Sequence, residues 1–296
     1  MNQTGWRYFL ADVFADGPFR GNPLAVFPDA AGIPKALRQR LARELNLSET
    51  SFVLTAFFFN DTATTEIYTP LTEIPFAGHP CLGTAHVLQT LGRAGPALCL
   101  STGAGPVQVR TVGDRLELRA PRAPARVNHR AAREALPAIL GLARGDIVSC
   151  DAWTCGLPFV LVEAASQDAV DRAVLHQEAW RSALAGGEAR DIYLFSLHHQ
   201  GEEALIHARM FSPADGIGED PATGSAAAAL MGWLATRGIR QIEVRQGVAL
   251  GRPSAITARI ENGSVHVAGS VVRVGEGLFY PPPRHASPTD WPAPPG

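Results

Sequence analysis

The sequence predicts an α+β fold: two pseudo-symmetric domains, each a curved mixed sheet or barrel around a central buried helix. Three observations carry that reading. First, Gly78-His79-Pro80-Cys81-Leu82-Gly83-Thr84-Ala85 and Glu219-Asp220-Pro221-Ala222-Thr223-Gly224-Ser225-Ala226 share the pattern (His/Asp)-Pro-x-x-Gly-(Thr/Ser)-Ala, and each leads into an apolar run. A helix that is apolar all round is buried. Second, landmarks recur in one order. Gly21-Asn22-Pro23-Leu24 matches Gly156-Leu157-Pro158-Phe159, His79-Pro80 matches Asp220-Pro221, and Thr102-Gly103 matches Gln246-Gly247, at offsets of 135, 141 and 144 residues. Third, 296 residues at 46% hydrophobic content suffice for a large core and two domains. The expected boundaries are 1–120 and 125–280, joined by the linker Pro121-Arg122-Ala123-Pro124, with a Pro-rich tail over 281–296.

In chain order, Tyr8–Phe14 reads as a strand, the Gly- and Pro-punctuated stretch from Asp16 to Pro23 as a loop, and Leu24–Phe27 as a second strand. Pro34 opens a helix with Leu37, Leu41 and Leu45 on one face, ending near Asn46. Leu47-Ser48-Glu49-Thr50 then runs into an apolar strand through Leu54, which leaves one carboxylate at a loop–strand junction. The next stretch, Asn60–Thr69, can be encoded in frame by a sequencing flow-cell adapter. We read it as adapter sequence carried into the gene assembly, with Phe57-Phe58-Phe59 belonging to it, and rest no function on it.

After the first motif helix, which ends near Gly92, strands are expected at Ala97–Leu100, Pro106–Arg110 and Arg115–Arg119, with Gly113-Asp114 turning between the last two. In the second half Pro158–Val162 reads as a strand and Gln167–Leu184 as one helical region. Ile192–Leu197 and Ala204–Phe211 are strands, with His198-His199 in the loop between them. The second motif helix follows. Strands at Ile242–Val244, Ser254–Ile260 and Val265–Val267 complete the half, with Asn262-Gly263 as a hairpin turn.

The two motifs carry the chemistry. Pro at the first helical position loses nothing, because its missing N–H would be unpaired there, so His79 and Asp220 become the expected N-cap residues. The small residues Gly83-Thr84 and Gly224-Ser225 let a ligand approach free backbone N–H groups, and such a helix mouth favours an anion. A small anionic molecule is therefore the expected ligand. Net charge is −2 and no basic patch stands out, which argues against nucleic acid and anionic membrane. Met1–Gly5 carries no signal pattern, and the longest uncharged run, Pro221–Thr236, is short for a bilayer. A cytoplasmic protein is expected. The scattered Cys81, Cys99, Cys150 and Cys155 form no Cys-x-x-Cys pair and join no histidine cluster, so no metal is expected.

Leu47-Ser48-Glu49-Thr50, Pro75-Phe76-Ala77-Gly78-His79-Pro80, Glu219 through Ala226, and Gln246-Gly247 with Gly251-Arg252-Pro253-Ser254 together resemble the PhzF-like (phenazine biosynthesis isomerase) family. The resemblance runs from Asp12-Val13-Phe14 to about Gly269. It implies the diaminopimelate epimerase-like fold, a cofactor-free isomerase site in the cleft between the halves, and a homodimer. The family's catalytic glutamate falls on Glu49, and its supporting residues on Gly78, His79, Asp220 and Ser225. Its best-known activity is isomerisation of trans-2,3-dihydro-3-hydroxyanthranilate. The implied reaction moves a proton between carbons of one substrate, with Glu49 as general acid/base in a cleft lined by Phe52 and Phe76, and with His79 and Asp220 paired across it. Backbone N–H groups near Gly78 and at Gly224-Ser225 would hold a carboxylate or developing negative charge. Two alternatives stand beside this: an amino-acid epimerase or racemase using Glu49 with Asp220 or His79 in place of thiols, and a non-catalytic small-molecule binder on the same scaffold.

Overall fold

The computed structural model describes residues 5–57, 61–128, 133–213 and 217–281. Its first half runs β1 (Trp6–Val13), β2 (Asn22–Phe27), α1 (Lys35–Leu45), β3 (Glu49–Phe57), β4 (Thr62–Tyr68), β5 (Glu73–Ile74), α2 (Gly78–Thr90), β6 (Ala97–Thr102), β7 (Gly105–Val112), β8 (Arg115–Arg119) and β9 (Ala125–Arg126). The second runs α3 (Leu136–Leu140), β10 (Ile147–Thr154), β11 (Pro158–Ala164), α4 (Gln167–Asp171), α5 (Gln177–Ala183), β12 (Asp191–Gln200), β13 (Glu203–Ser212), β14 (Ile217–Asp220), α6 (Gly224–Ala235), β15 (Gln241–Gln246), β16 (Ser254–Glu261), β17 (Ser264–Gly269) and β18 (Val271–Phe279).

The pairing order repeats. β2–β3 is parallel, β3–β4 antiparallel, β4–β6 parallel, and β6–β7 and β7–β8 antiparallel. The same sequence of senses recurs as β11–β12, β12–β13, β13–β15, β15–β16 and β16–β17. Parallel neighbours need a crossover, and those crossovers are where α1 and α2, then α4–α5 and α6, are inserted. β8 pairs antiparallel with β17, joining the halves. Closure is reciprocal: β9, after β8, pairs with β10, and β18, after β17, returns to β1.

One continuous apolar cluster contains both α2 and α6. From Ala226 to Leu234 every residue of α6 is buried, because Ala and Gly let the sheet come close. A Cβ on Gly232 would meet Pro124 Cβ at 2.3 Å, and one on Gly83 of α2 would meet Leu24 Cδ2 at 2.4 Å. A larger residue at Gly83 would force the buried Leu24 and Val13 side chains to repack. Smaller clusters sit under α1 (Phe27, Phe52, Tyr68) and under α3–α5 (Leu140, Val162, Trp180). Asn262 and Gly263 both have positive φ (50° and 74°), the two-residue turn expected between β16 and β17. The adapter-like stretch alternates Ala63, Thr65 and Ile67 inward and is accommodated as β4.

Two expectations need correction. The single helical region Gln167–Leu184 is two short helices, because between them the backbone N–H groups of Val174 and His176 turn aside to donate to Leu140 and Ile139 of α3. His198 and His199 lie in β12 rather than in a loop; the hairpin turns two residues later, at Gly201 (φ 62°). Sequence patterning also missed α3, β10 and β18 as elements. The tail beyond Pro281 lies outside the described residues. Among the described residues no helix is long and apolar enough to cross a membrane.

Candidate active site

The helix mouths differ from the expected caps. Helix α2 begins at Gly78 behind an extended Ala77 (φ −147°, ψ 145°), so His79 is its second residue rather than its cap. Pro tolerates any place in the first turn, where N–H groups have no intrahelical partner, so the helix extends back past Pro80. Helix α6 begins only at Gly224, with Thr223 at the cap, and Asp220 ends β14. Gln246 causes the delay: its Nε2 donates to the Asp220 carbonyl at 2.8 Å and its Oε1 accepts from Thr223 N at 3.2 Å, which holds the chain in a turn. Histidine therefore stands inside one mouth and aspartate in front of the other.

Asp220 sits in a closed polar network. Its Oδ1 accepts from Asn22 Nδ2 (2.8 Å) and Ser48 Oγ (3.2 Å), and its Oδ2 from Thr223 Oγ1 (2.5 Å). Burial pushes its carboxyl up to about 6, against the opposing pull of those three donors. Behind it, Tyr193 OH donates to Gln246 Oε1 at 3.0 Å, and Ser254 Oγ donates to the Pro221 carbonyl at 3.2 Å. Gln246-Gly247 and Arg252-Pro253-Ser254 thus act as scaffolding. Arg252 donates to Asp12 Oδ1 (2.6 Å) and to the Gly21 carbonyl (2.9 Å), pinning the residue before Asn22.

Glu49 opens β3, and strand alternation turns Glu49, Ser51 and Val53 toward α2. Ser51 Oγ lies 2.7 Å from Thr84 Oγ1 of that helix. His79 Nε2 is 3.3 Å from Glu49 Oε2. His79 is buried, and desolvation pulls its imidazole down to about 3, so it is neutral at ordinary pH. The expected direct pair of His79 with Asp220 is corrected: Asn22 stands between them, its Nδ2 3.4 Å from His79 Nδ1 and 2.8 Å from Asp220 Oδ1. Phe52 does not line the cleft either. It lies on the opposite face of β3, stacked on Phe27 at 4.8 Å.

Gly78, Gly224 and Ser225 meet where the two helix N-termini approach. A Cβ on Gly78 would lie 3.7 Å from Ser225 N, and one on Gly224 would strike Phe14 Cζ at 2.8 Å. With Phe76, Leu118 and Val267 they line a cavity of about 10 Å³, room for a single water. A wider groove of about 650 Å³ lies on the outer face of β12, β13 and β15, lined by His198, His207, Glu243 and Arg245, and includes none of the residues that the motifs single out. We place the site at the helix mouths because that is where the tuned titratable groups converge. Among the described residues no group of three or more His, Cys, Asp or Glu is placed to hold a metal. Cys81 is buried in α2 with its thiol pushed up to about 12.

Asn22 is the residue the motifs did not single out. Its signal was present in the repeated Gly21-Asn22-Pro23 landmark, which reads more simply as a turn. Its Oδ1 has no hydrogen-bond partner among the described residues, and an unpaired buried amide oxygen costs about 1–3 kcal/mol.

Comparison with known proteins shows the family and the fold. The family described as phenazine biosynthesis-like protein (PhzC-PhzF) matches residues 11–277. A trans-2,3-dihydro-3-hydroxyanthranilate isomerase of Pseudomonas aeruginosa is 37% identical, over 93% of this chain and 99% of its own. The crystal structure of a PhzF-family phenazine biosynthesis protein of Bacillus anthracis superposes with a TM-score of 0.82 at 25% identity, covering 93% of this chain and 99% of that one. A probable proline racemase of Agrobacterium radiobacter, 12% identical, shares the fold with a TM-score of 0.62 over 94% of both chains.

Proposed function

The chain belongs to the phenazine biosynthesis-like (PhzC-PhzF) family and is an isomerase, and from that premise we propose that it moves a proton between carbons of a small carboxylate or amino-acid-like substrate without a cofactor, with Glu49 as the general acid/base. The observation that carries this reading is the convergence of Glu49, a neutral His79 and an Asp220 raised to about 6 beside two helix mouths. A proton-transfer site needs a group whose protonation is poised near the working pH, and burial brings Asp220 there.

Glu49 as carboxylate takes a proton from one substrate carbon, the electron pair shifts along the substrate, and the same carboxyl returns the proton to another carbon. His79, neutral, donates from Nε2 toward Glu49 or a substrate oxygen. Backbone N–H groups at Gly78 and Gly224-Ser225 hold the substrate carboxylate or the charge that develops. The cavity of about 10 Å³ at the mouths is lined by Gly78, Gly224 and Ser225 but by none of Glu49, His79 and Asp220. A two-thiol racemase is not supported: Cys81 is buried with a raised pKa, and the α6 mouth presents Asp220, Gly224 and Ser225.

The test is proton exchange followed by NMR in D₂O, with trans-2,3-dihydro-3-hydroxyanthranilate and a panel of amino and hydroxy acids. Glu49→Gln keeps the shape and removes the base. A loss of about 10²–10⁴-fold in turnover is expected, and near-normal activity in the variant would sink the assignment.

A further inference from the structure

We propose that Asn22 is a positioning residue that fixes the tautomer of His79, forbidding a proton on Nδ1 and so presenting Nε2–H to Glu49. The inference builds on the proposed role of Glu49, but its main readout needs no substrate.

The orientation of the Asn22 amide is fixed by its neighbours. Two acceptors lie close to Asn22 Nδ2: Asp220 Oδ1 at 2.8 Å and the Ala222 carbonyl at 3.0 Å. Turning the amide over would set its oxygen against both of those oxygens, so the network fixes the NH₂ group on this side. The third neighbour of Nδ2 is His79 Nδ1 at 3.4 Å. With two hydrogens for three acceptors that last contact is the weakest, but its sign is decided. A hydrogen on Nδ1 would point at an amide that has only hydrogens to offer, whereas a lone pair there is attracted. The neutral imidazole carries one proton, which therefore resides on Nε2, 3.3 Å from Glu49 Oε2. That contact is not yet aligned as a hydrogen bond, a common state of catalytic contacts before substrate arrives.

A purely structural role fits Asn22 poorly. Its Oδ1 is left without a partner among the described residues while the residue is fully buried at the first position of β2. What the amide supplies is the NH₂ edge alone, aimed at a carboxylate, a carbonyl and an imidazole nitrogen at once. The Arg252 contacts to Asp12 and to the Gly21 carbonyl hold that edge in place from behind.

The test is long-range ¹H–¹⁵N correlation on protein labelled with ¹⁵N-histidine, without substrate, with the His79 signals assigned by their loss in His79→Gln. Wild type is expected to show Nε2–H with unprotonated Nδ1. In Asn22→Asp a carboxylate replaces the amide and can accept from Nδ1–H, so the His79 signals should move to the Nδ1–H form or to the doubly protonated ring. The exchange assay should show kcat reduced about 10²–10⁴-fold, the usual worth of a misdirected or absent general acid–base group, with KM changed less than about threefold. Asn22→Ser, which removes the NH₂ edge without adding charge, should let an Nδ1–H population appear, and it gives the same reading if Asn22→Asp does not fold. An Nδ1–H signal in the wild type, or unchanged His79 signals in a folded variant, overturns the proposal. The His79 result stands whether or not any substrate turns over, so failure of the Glu49 assignment and failure of the Asn22 assignment are separately visible.

Discussion

Glu49 Oε2 and His79 Nε2 stand 3.3 Å apart, yet the pair is not an ion pair at neutral pH. The distance alone would suit His⁺ with a carboxylate, and an anion that close favours the charged ring. Burial opposes it and dominates: desolvation holds the imidazole down to about 3. The contact therefore joins a neutral ring to an acid/base side chain, and no strong ion pair has to be broken when substrate enters. Packing fixes the spacing, since the Ser51–Thr84 hydroxyl contact at 2.7 Å ties β3 to α2 one turn beyond.

The first prediction concerns acid stability. His79 has a folded-state pKa below its unfolded value of about 6.5, so stability is present above pH 6.5 and is lost as pH falls toward 3, because only the unfolded chain takes up the proton. The slope is about 1.4 kcal/mol per pH unit within that window. His79→Gln removes this term. Urea denaturation at pH 7 and pH 4.5 should show the variant gaining on wild type as pH falls, and a constant difference would refute the buried neutral ring.

Asp220 has the opposite sign. Its folded-state pKa is raised from 3.8 to about 6, so its contribution is favourable below pH 4 and is lost as pH rises through 6. Asp220→Asn should therefore be relatively more stable at pH 8 than at pH 4 while turnover falls by about 10²-fold or more. Stability gained with activity lost is the pattern of a group kept for function at a cost in folding. A variant equally stable relative to wild type at both pH values would show that Asp220 is not held near neutrality by its surroundings.

Much of the fold was visible in the sequence because the same physics appears twice. Two apolar helices behind Pro-Gly mouths, and strands in matching order, need no tertiary knowledge to recognise. What could not be read were features set by the other half of the chain. β18 carries Arg273, Gly275, Glu276 and Gly277, a poor strand pattern, and it is held by β1. His79 and Asp220 stood out in the two helix motifs and Glu49 through the family resemblance, but Asn22 could not be seen bridging His79 and Asp220 from 57 and 198 residues away. Likewise the start of α6 depends on Gln246, which nothing near Asp220 in sequence announces.

The adapter-like stretch makes a prediction about the gene. Amplifying and sequencing the locus from native DNA should return codons other than those for Asn60–Thr69. A strand must still fill that place, since β3 and β6 both pair with β4. Arg38, which is buried and now bonds Glu66 Oε2 at 2.7 Å, will need another acceptor there. Recovery of the same codons would make the stretch native, and the Arg38–Glu66 pair with it.

Gly247 offers the sharpest test of the scaffold behind Asp220. Its φ is +73°, and a Cβ there would meet the Arg252 carbonyl oxygen at 2.4 Å and the Pro221 carbonyl oxygen at 2.5 Å. Both obstacles are backbone, so neither can swing away. Gly251, four residues on, has a similar φ of +67° and nothing within 4 Å of the added carbon. The two alanine variants therefore separate backbone strain from collision. Gly251→Ala should cost about 1 kcal/mol, the strain of alanine at positive φ, and Gly247→Ala about 3 kcal/mol or more. The Gly247 variant should also lose activity beyond its loss of stability, because Gln246, the neighbouring residue, holds the Asp220 turn through its bonds to the Asp220 carbonyl and Thr223 N. Equal melting shifts for the two variants would mean that the loop relaxes freely and that Asp220 is positioned by its side-chain donors alone.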